Sequence, residues 1–344
     1  MLDFESPGQV VIVGGGRWAR IVTRELVSLL PAHVPITIVT NSQVAVMQEW
    51  VRRELAELRS AGAPIVVRLD VPTSDGSRGF GIAIVVNRPS DHFATATYLI
   101  KSGYDVLVEK PFTIDPLQAR ELVDLGKRAR KVVAAGLVFR HASYFDSLLR
   151  QLPFPLSEVD QFELLWSDPA AEMRHGEVKR LPTDISLVFD VLPHAWSILD
   201  RVFGATNRIA MQLGELTDRN LTIEVLTSIG RAEGKIRLSR PAPVRRRLLR
   251  VAAGNRSVSL DFAGNTGFIQ IDEGVPTPLP AQAELGGPLA RMLRSFIAIA
   301  ARAQSGGAPT TVDIRDAPPT GDRIIAHMDM IAAVEREFQA RLRI

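Results

Sequence analysis

Lys110 stands in "DVLVEKPF", directly after an apolar run and directly before a proline. A proline pushes the preceding residue away from helical φ/ψ values. Lys110 is therefore expected to stay extended at the carboxyl end of a strand. A lysine held there can hydrogen-bond a substrate oxygen and stabilise developing alkoxide charge. An isolated Glu109-Lys110-Pro111 would read as an ordinary strand–loop junction, but two similar endings accompany it. "GIAIVVNRPSDH" closes a second apolar run at Asn87, Arg88 and Pro89, with His92 three residues on, and "KVVAAGLVFRH" closes a third near Arg140. Further along, "FDVLPHAWSILD" sets Asp190 and His194 four residues apart, which on a helix is one face. The alternative there is a helix start, with Asp190 as the N-cap and Pro193 tolerated in the first turn.

A second kind of chemistry is suggested by "VVIVGGGRWARI", Val10 to Ile21. Gly14, Gly16 and Ala19 fit G-x-G-x-x-[GA] between a predicted strand and a predicted helix, the context in which that pattern is informative. Gly14 permits a tight turn, Gly16 lets a pyrophosphate approach the backbone, and Ala19 lets helix and strand pack closely. The free N–H groups and positive dipole end of the helix then face the phosphates. A glycine turn without a ligand is the alternative. No Lys-Ser/Thr follows the glycines, so this is no ATP-type phosphate loop. Trp18 is expected to pack or to flank the phosphates. The next strand ends in Thr40, Asn41 and Ser42, where an NAD-preferring site carries a carboxylate for the ribose 2′-OH. Without that carboxylate a 2′-phosphate is not repelled, and Arg17 could pair with it. The reading is NADP, with NAD possible.

These residues need a frame. From residue 10 to about 136, continuous apolar runs alternate with helical stretches. Such runs mark strands covered on both faces, and the alternation marks crossovers and a parallel sheet. From about residue 140, segments such as "LTIEVLTSI" and "SVSLDF" alternate apolar with polar at period two. Two helical patterns close the chain, one with Leu289, Met292, Leu293, Phe296 and Ile297 on a stripe, the other with Ile324, Met328, Ile331 and Phe338. "AQSGGAPTT" reads as the loop between them. The expected class is α/β: an N-terminal Rossmann doubly wound parallel sheet over 1–138, then an α+β domain with a mostly antiparallel open sheet over 139–344 that serves substrate binding and oligomerisation. The last helix is free to pack back on the first domain.

The chain has 344 residues, 46% hydrophobic and 23% charged, ordinary for a soluble globular protein. It has no cysteine, which excludes disulfides and thiolate metal sites. The start, "MLDFESPGQ", does not read as a signal peptide and no apolar run could span a bilayer, so a cytoplasmic protein with no membrane partner is expected. The net charge is only +3, from 41 basic and 38 acidic residues. The basic cluster "VRRRLLR" (Val244 to Arg250) reads as a solvated strand face, with a polyanion patch as the sharper alternative. Nothing else suggests nucleic acid. No His/Asp/Glu spacing suggests a metal, and no G-x-S-x-G elbow occurs. His33, His141 and His327 are isolated and read as surface or core residues. The polar segment 166–182, with Asp168, Glu172, Arg174, His175, Glu177 and Lys179, is either a substrate-shaping loop or a solvated connection.

In this order the motifs resemble the glucose–fructose oxidoreductase / inositol dehydrogenase (Gfo/Idh/MocA) family over nearly the whole chain. The resemblance implies that Lys110 contacts the reacting oxygen and the nicotinamide side of the site. His194 would be the general acid/base, suited by an ordinary pKa near 6.5. Asp190 would orient the site and hold a substrate hydroxyl. Asn87, Pro89 and His92 would line the nicotinamide end, and Glu109 and Arg140 belong to the same expected cofactor set. Pro193 and Ser197 stand where the family commonly has glycine and aspartate, which bears on the substrate more than on the reaction. The implied activity is NAD(P)-dependent hydride transfer between nicotinamide and a polar carbonyl or alcohol: a sugar, a cyclitol or a related natural-product intermediate. Alternatives are a non-catalytic NAD(P)-binding sensor of the same fold, or an imine reductase. The free face of the antiparallel sheet leads to the expectation of a homodimer or homotetramer.

Overall fold

The computed structural model describes residues 6–55, 62–74, 79–174, 177–182, 184–204, 208–218, 221–264, 267–279, 286–305 and 317–343. His175 and most of the "AQSGGAPTT" loop lie outside them. The chain divides into two compact units, Met1–His141 with Leu285–Met328, and Ala142–Glu284 with Asp329–Ile344.

The first unit is a six-stranded sheet in the order β3-β2-β1-β4-β5-β6, every pair parallel. Its strands are β1 (Gln9–Val13), β2 (Ile36–Val39), β3 (Ile65–Arg68), β4 (Gly81–Val85), β5 (Tyr104–Glu109) and β6 (Val133–Gly136). The apolar runs do what they predict: every residue of β4, β5 and β6 is buried. Helices cover the sheet because one stripe of each is apolar. In α1 (Arg17–Leu29) the stripe is Ala19, Val22, Leu26 and Val27. The strand order reverses between β1 and β4, and such a switch point is where open α/β sheets bind ligands at the carboxyl ends of their strands. α2 (Val44–Glu54), α3 (His92–Lys101) and α4 (Pro116–Ala129) are the other crossovers.

The stretch read from the sequence as one piece, 139–344, contributes to both units. Helix α7 (Pro288–Gln304) buries Leu289, Met292, Leu293, Phe296 and Ile297 in the same core as β1, β2 and α1. This apolar stripe is wide and continuous, and the first sheet offers it a hydrophobic surface.

The second unit is an eight-stranded sheet of β10 (Ile209–Thr217), β11 (Thr222–Ile229), β12 (Ala232–Ser239), β7 (Gln161–Ser167), β13 (Arg246–Ala253), β14 (Arg256–Asp261), β15 (Phe268–Ile271) and β16 (Thr277–Pro278) in that order, antiparallel except where β12 meets β7. β7 shows the expected period of two, with Phe162, Leu164 and Trp166 buried. Helix α6 (Leu187–Phe203) packs against α5 (Ser143–Gln151) and β12. Within the segment 166–182, read from the sequence as a substrate-shaping loop or a solvated connection, β8 (Ala171–Arg174) and β9 (Glu177–Arg180) form an antiparallel ribbon. The solvated-face reading of "VRRRLLR" also needs correction. On β13 (Arg246–Ala253), Arg246 and Arg250 are exposed, but Arg247 is only 1% exposed. Alternation turns its side chain to the buried face.

Among the described residues no helix is long and apolar enough to cross a membrane. His33 is exposed, whereas His141 and His327 are core residues. Burial pulls His327, on α8 (Asp322–Leu342), down to about 3. The unfolded chain accepts a proton at this residue near pH 6.5, and the folded chain refuses it until about pH 3. Folding stability is therefore expected to fall as pH drops through that window, by up to ~1.4 kcal/mol per unit from this residue alone. Denaturant melts at pH 7.5, 6 and 4.5 check this: His327→Leu should lose less stability than the wild type, and parallel pH profiles would refute it.

Candidate functional site

The glycine turn joins β1 to α1 at the strand-order reversal. Each glycine has its own reason. Gly14 has φ +149°, and a Cβ there would lie 2.8 Å from the Val86 carbonyl oxygen. A Cβ on Gly15 would collide with the Thr40 hydroxyl at the end of β2, a constraint the sequence pattern does not show. Gly16 is different: a Cβ there would meet nothing within 4 Å. It is exposed and starts α1, whose N-terminus has no side-chain cap and no acidic residue in its first turn. An open backbone before uncapped N–H groups fits a dinucleotide pyrophosphate, with Gly14, Gly16, Arg17, Trp18 and Ala19 available to hold it. Arg17 and Trp18 are half-buried and Ala19 is fully buried. At the end of β2, Thr40 is buried while Asn41 and Ser42 are exposed.

The register brings three strand ends level. Val13 pairs with Val85, and Val85 with Val108. The turn at Gly14, the Asn87 segment and the Glu109-Lys110 pair thus leave the same edge of one sheet. His92, 1% exposed, ties two of these segments together. Its Nδ1 lies 2.9 Å from the Pro111 carbonyl and its Nε2 3.3 Å from that of Asn87. Burial, opposed by these carbonyls, holds the His92 imidazole below its usual pKa. A neutral ring donates through one nitrogen only, and the shorter contact assigns that proton to Nδ1. The Asn87 amide donates to Thr95 Oγ1 at 2.8 Å, and Pro89 opens a short 3₁₀ turn.

Glu109 ends β5 fully inside the protein, and burial pushes its carboxyl up to about 7 against the Trp18 indole and Lys110. The Lys110 N–H donates to its Oε2 at 3.2 Å. Gly136, its register partner on β6, leaves it room: a Cβ there would lie 3.1 Å from Glu109 Oε1. Lys110 is half-buried and precedes Pro111 through a cis peptide bond. Arg140 is completely buried, and its Nε donates to the Ala317 carbonyl at 2.9 Å, fastening the segment before α8.

Asp190 and His194 lie on α6 in the second unit. The capping alternative for Asp190 is overturned. The N-cap is Ser186, whose Oγ accepts from the Phe189 N–H at 3.1 Å, and Pro193 sits inside the helix. Asp190 Oδ2 instead receives Arg240 Nη1 at 2.7 Å, while Arg240 Nη2 donates to the Ile185 carbonyl at 2.6 Å. This arginine is fifty positions away and was missed by sequence reasoning. The His194 imidazole stacks on Trp166, centroids 5.2 Å apart and 14° from parallel. Among the described residues no cluster of three or more metal-ligating side chains occurs.

Residues 9–137 match the model of the Gfo/Idh/MocA oxidoreductase family, described by its NAD-binding Rossmann fold. That match covers the Rossmann part of the chain, 129 of its 344 residues. The chain is 26% identical over 186 residues to a UDP-N-acetylglucosamine 3-dehydrogenase of Acidithiobacillus ferrooxidans, an alignment covering 53% of this chain and only 56% of that relative. The solved structure of that dehydrogenase superposes with a TM-score of 0.66 at 21% identity, over 96% of this chain and 99% of the other. A mutant 3-ketoreductase of Actinomadura kijaniata, solved with TDP-benzene and NADP, gives a TM-score of 0.68 at 14% identity, over 96% and 97%. The fold of these solved structures thus extends over both units.

Proposed function

We propose that the protein is an NADP-dependent oxidoreductase that moves hydride between the nicotinamide and a ring carbonyl or alcohol of a sugar, cyclitol or related compound. The single observation that carries this reading is the level register of β1, β4 and β5, which gathers the glycine turn, Asn87 and Lys110 at one sheet edge. The dinucleotide supplies or accepts the hydride. Lys110 holds the substrate oxygen and stabilises its developing negative charge. His194, in the second unit, is the general acid/base of this reading, giving a proton in reduction and removing one in oxidation. Asp190, held by Arg240, orients a substrate hydroxyl. His92 and Asn87 support the nicotinamide end. The sugar assignment draws on the relatives, one named for a UDP-linked sugar and one a 3-ketoreductase.

NADP is preferred because Thr40, Asn41 and Ser42 present no carboxylate to a 2′-phosphate and Arg17 opens α1 nearby. Titration of the full chain with NADPH and with NADH, followed by nicotinamide fluorescence, is expected to give saturable binding, tighter for NADPH. Tighter NADH would reverse the cofactor preference. A folded sample that binds neither would remove the whole reading.

A further inference from the structure

As a general acid/base, His194 must present its ring to a reacting oxygen at one distance and one angle. Its own side chain does little to ensure this, because the χ2 torsion of a histidine is broad rather than sharply staggered. The helix ladder beneath it also lacks a donor: Pro193 lies inside α6 and brings no N–H. Ser197 Oγ donates to the His194 carbonyl at 2.7 Å, which fastens the main chain at this turn but not the ring.

The ring lies on Trp166. The two centroids are 5.2 Å apart and the planes 14° from parallel, the geometry of an offset stack. Trp166 is itself held on several sides. It stands on β7, an interior strand of the eight-stranded sheet, where it pairs with Leu238 on β12 and Arg247 on β13. Its indole N–H donates to Asp168 Oδ2 at 2.9 Å, and the Arg247 guanidinium covers the ring 3.5 Å from its centroid. Arg247 Nη2 donates to the other carboxylate oxygen, Asp168 Oδ1, so Trp166, Asp168 and Arg247 close a triangle. All three are buried. Arg247 is fastened in turn, its Nη1 donating to the carbonyls of Ser167 and Arg246, each at 2.7 Å. Burial works against an ionised Asp168, but Arg247, Lys179 and the hydrogen bonds from Arg247 and Trp166 outweigh it and hold its pKa below the usual range. Asp168 therefore accepts from both donors at neutral pH.

A core needs no more than an apolar side chain on such a face. Here the face carries a half-buried imidazole. We propose that Trp166 is a positioning residue: locked by Asp168 and Arg247, it holds the plane of the His194 imidazole so that proton transfer starts from one ring orientation. The stack stands on its own geometry; its bearing on catalysis rests on the role given to His194 above. A general acid acts within about 2.6–3.2 Å of the atom it protonates, and a misplacement of about 1 Å can cost 10²-fold in rate.

The test combines steady-state kinetics with NMR of the full chain carrying isotope-labelled histidine. The kinetic probe is NADP reduction with glucose, myo-inositol, glucose 1-phosphate and UDP-glucose, using the compound turned over fastest. Trp166→Leu removes the aromatic face, and Trp166→Phe keeps a ring without the bond to Asp168. Phe162→Leu is the structural control: it takes an aromatic ring from the same buried face of β7, where Phe162 packs on Phe203 instead. His194→Asn identifies the imidazole signal by its absence. In the wild type the indole ring current is expected to displace the His194 Hε1 signal from the free-histidine position. Trp166→Leu should return it there and lower kcat about tenfold or more, with KM and the NADP Kd within threefold of wild type. Trp166→Phe should fall between the two in both readouts. Phe162→Leu should lower the melting temperature but leave the signal and kcat in place.

A His194 signal that stays put in Trp166→Leu, or a kcat within threefold of wild type, would overturn the proposal. Equal kcat losses in Trp166→Leu and Phe162→Leu would do the same, marking a purely structural tryptophan. Should Trp166→Leu not fold, Trp166→Phe decides: a moved signal with wild-type kcat counts against the proposal, and joint movement supports it. His194→Asn at wild-type kcat removes the reading of His194 and this proposal with it. A slow His194→Asn beside a fast Trp166→Leu removes this proposal alone.

Discussion

Lys110→Met is expected to lower kcat for carbonyl reduction by about 10²- to 10³-fold while leaving the melting temperature and the NADPH Kd close to wild type. The magnitude is that of losing one preorganised donor to a developing oxyanion. The geometry supports preorganisation. Lys110 follows a strand whose residues are all buried, Phe112 is 1% exposed on its other side, and His92 grips the intervening Pro111 carbonyl. Lys110→Arg keeps the charge but not the compact ammonium, and is expected to recover only part of the rate. The measurement is steady-state oxidation of NADPH with a substrate found by screening sugars and their phosphates. A Lys110→Met enzyme within threefold of wild-type kcat would remove the lysine from the chemistry.

What the sequence made legible is local. The glycine turn, the strand ends and the apolar stripe of α7 depend on residues within one turn or one strand of each other, so spacing alone reports them. What it hid is tertiary. The collision that forces Gly15 involves Thr40 at the end of the next strand, and the partner of Asp190 on α6 is Arg240, directly after β12. The burial of Arg247 depends on its register against Trp166. No pattern in "VRRRLLR" says which of its arginines turns inward. The helix start before Asp190 could have been found: Ser186 precedes an apolar run and is a good N-cap, and starting the helix there puts Pro193 beyond its first turn. The relation of the Glu109 and Trp18 side chains was out of reach, because it needs β5 to lie beside β4 and β4 beside β1.

Two glycine variants should separate what the fold needs from what the dinucleotide needs. Gly14→Ala forces a side chain into a positive-φ conformation and sets its Cβ 2.8 Å from a backbone oxygen that belongs to the end of β4. Left-handed backbone costs an L-residue roughly 1–2 kcal/mol before any clash is counted, and the sheet edge cannot yield without moving the Asn87 segment. A melting temperature lower by about 4–8 °C is expected at a cost of about 2 kcal/mol, together with loss of NADPH binding. Gly16→Ala meets no atom within 4 Å and sits at an extended N-cap, φ −86° and ψ −174°, that alanine tolerates. Its melting temperature should therefore fall by only about 1–3 °C, since glycine is the better N-cap by roughly 0.5–1 kcal/mol and no clash is added. Its NADPH Kd should nonetheless rise about tenfold or more, because the added methyl occupies the space where a pyrophosphate approaches the backbone. Paired melting curves and fluorescence titrations decide it. If Gly16→Ala binds NADPH as tightly as wild type, the dinucleotide does not lie against this turn, and the open backbone at the start of α1 serves something else.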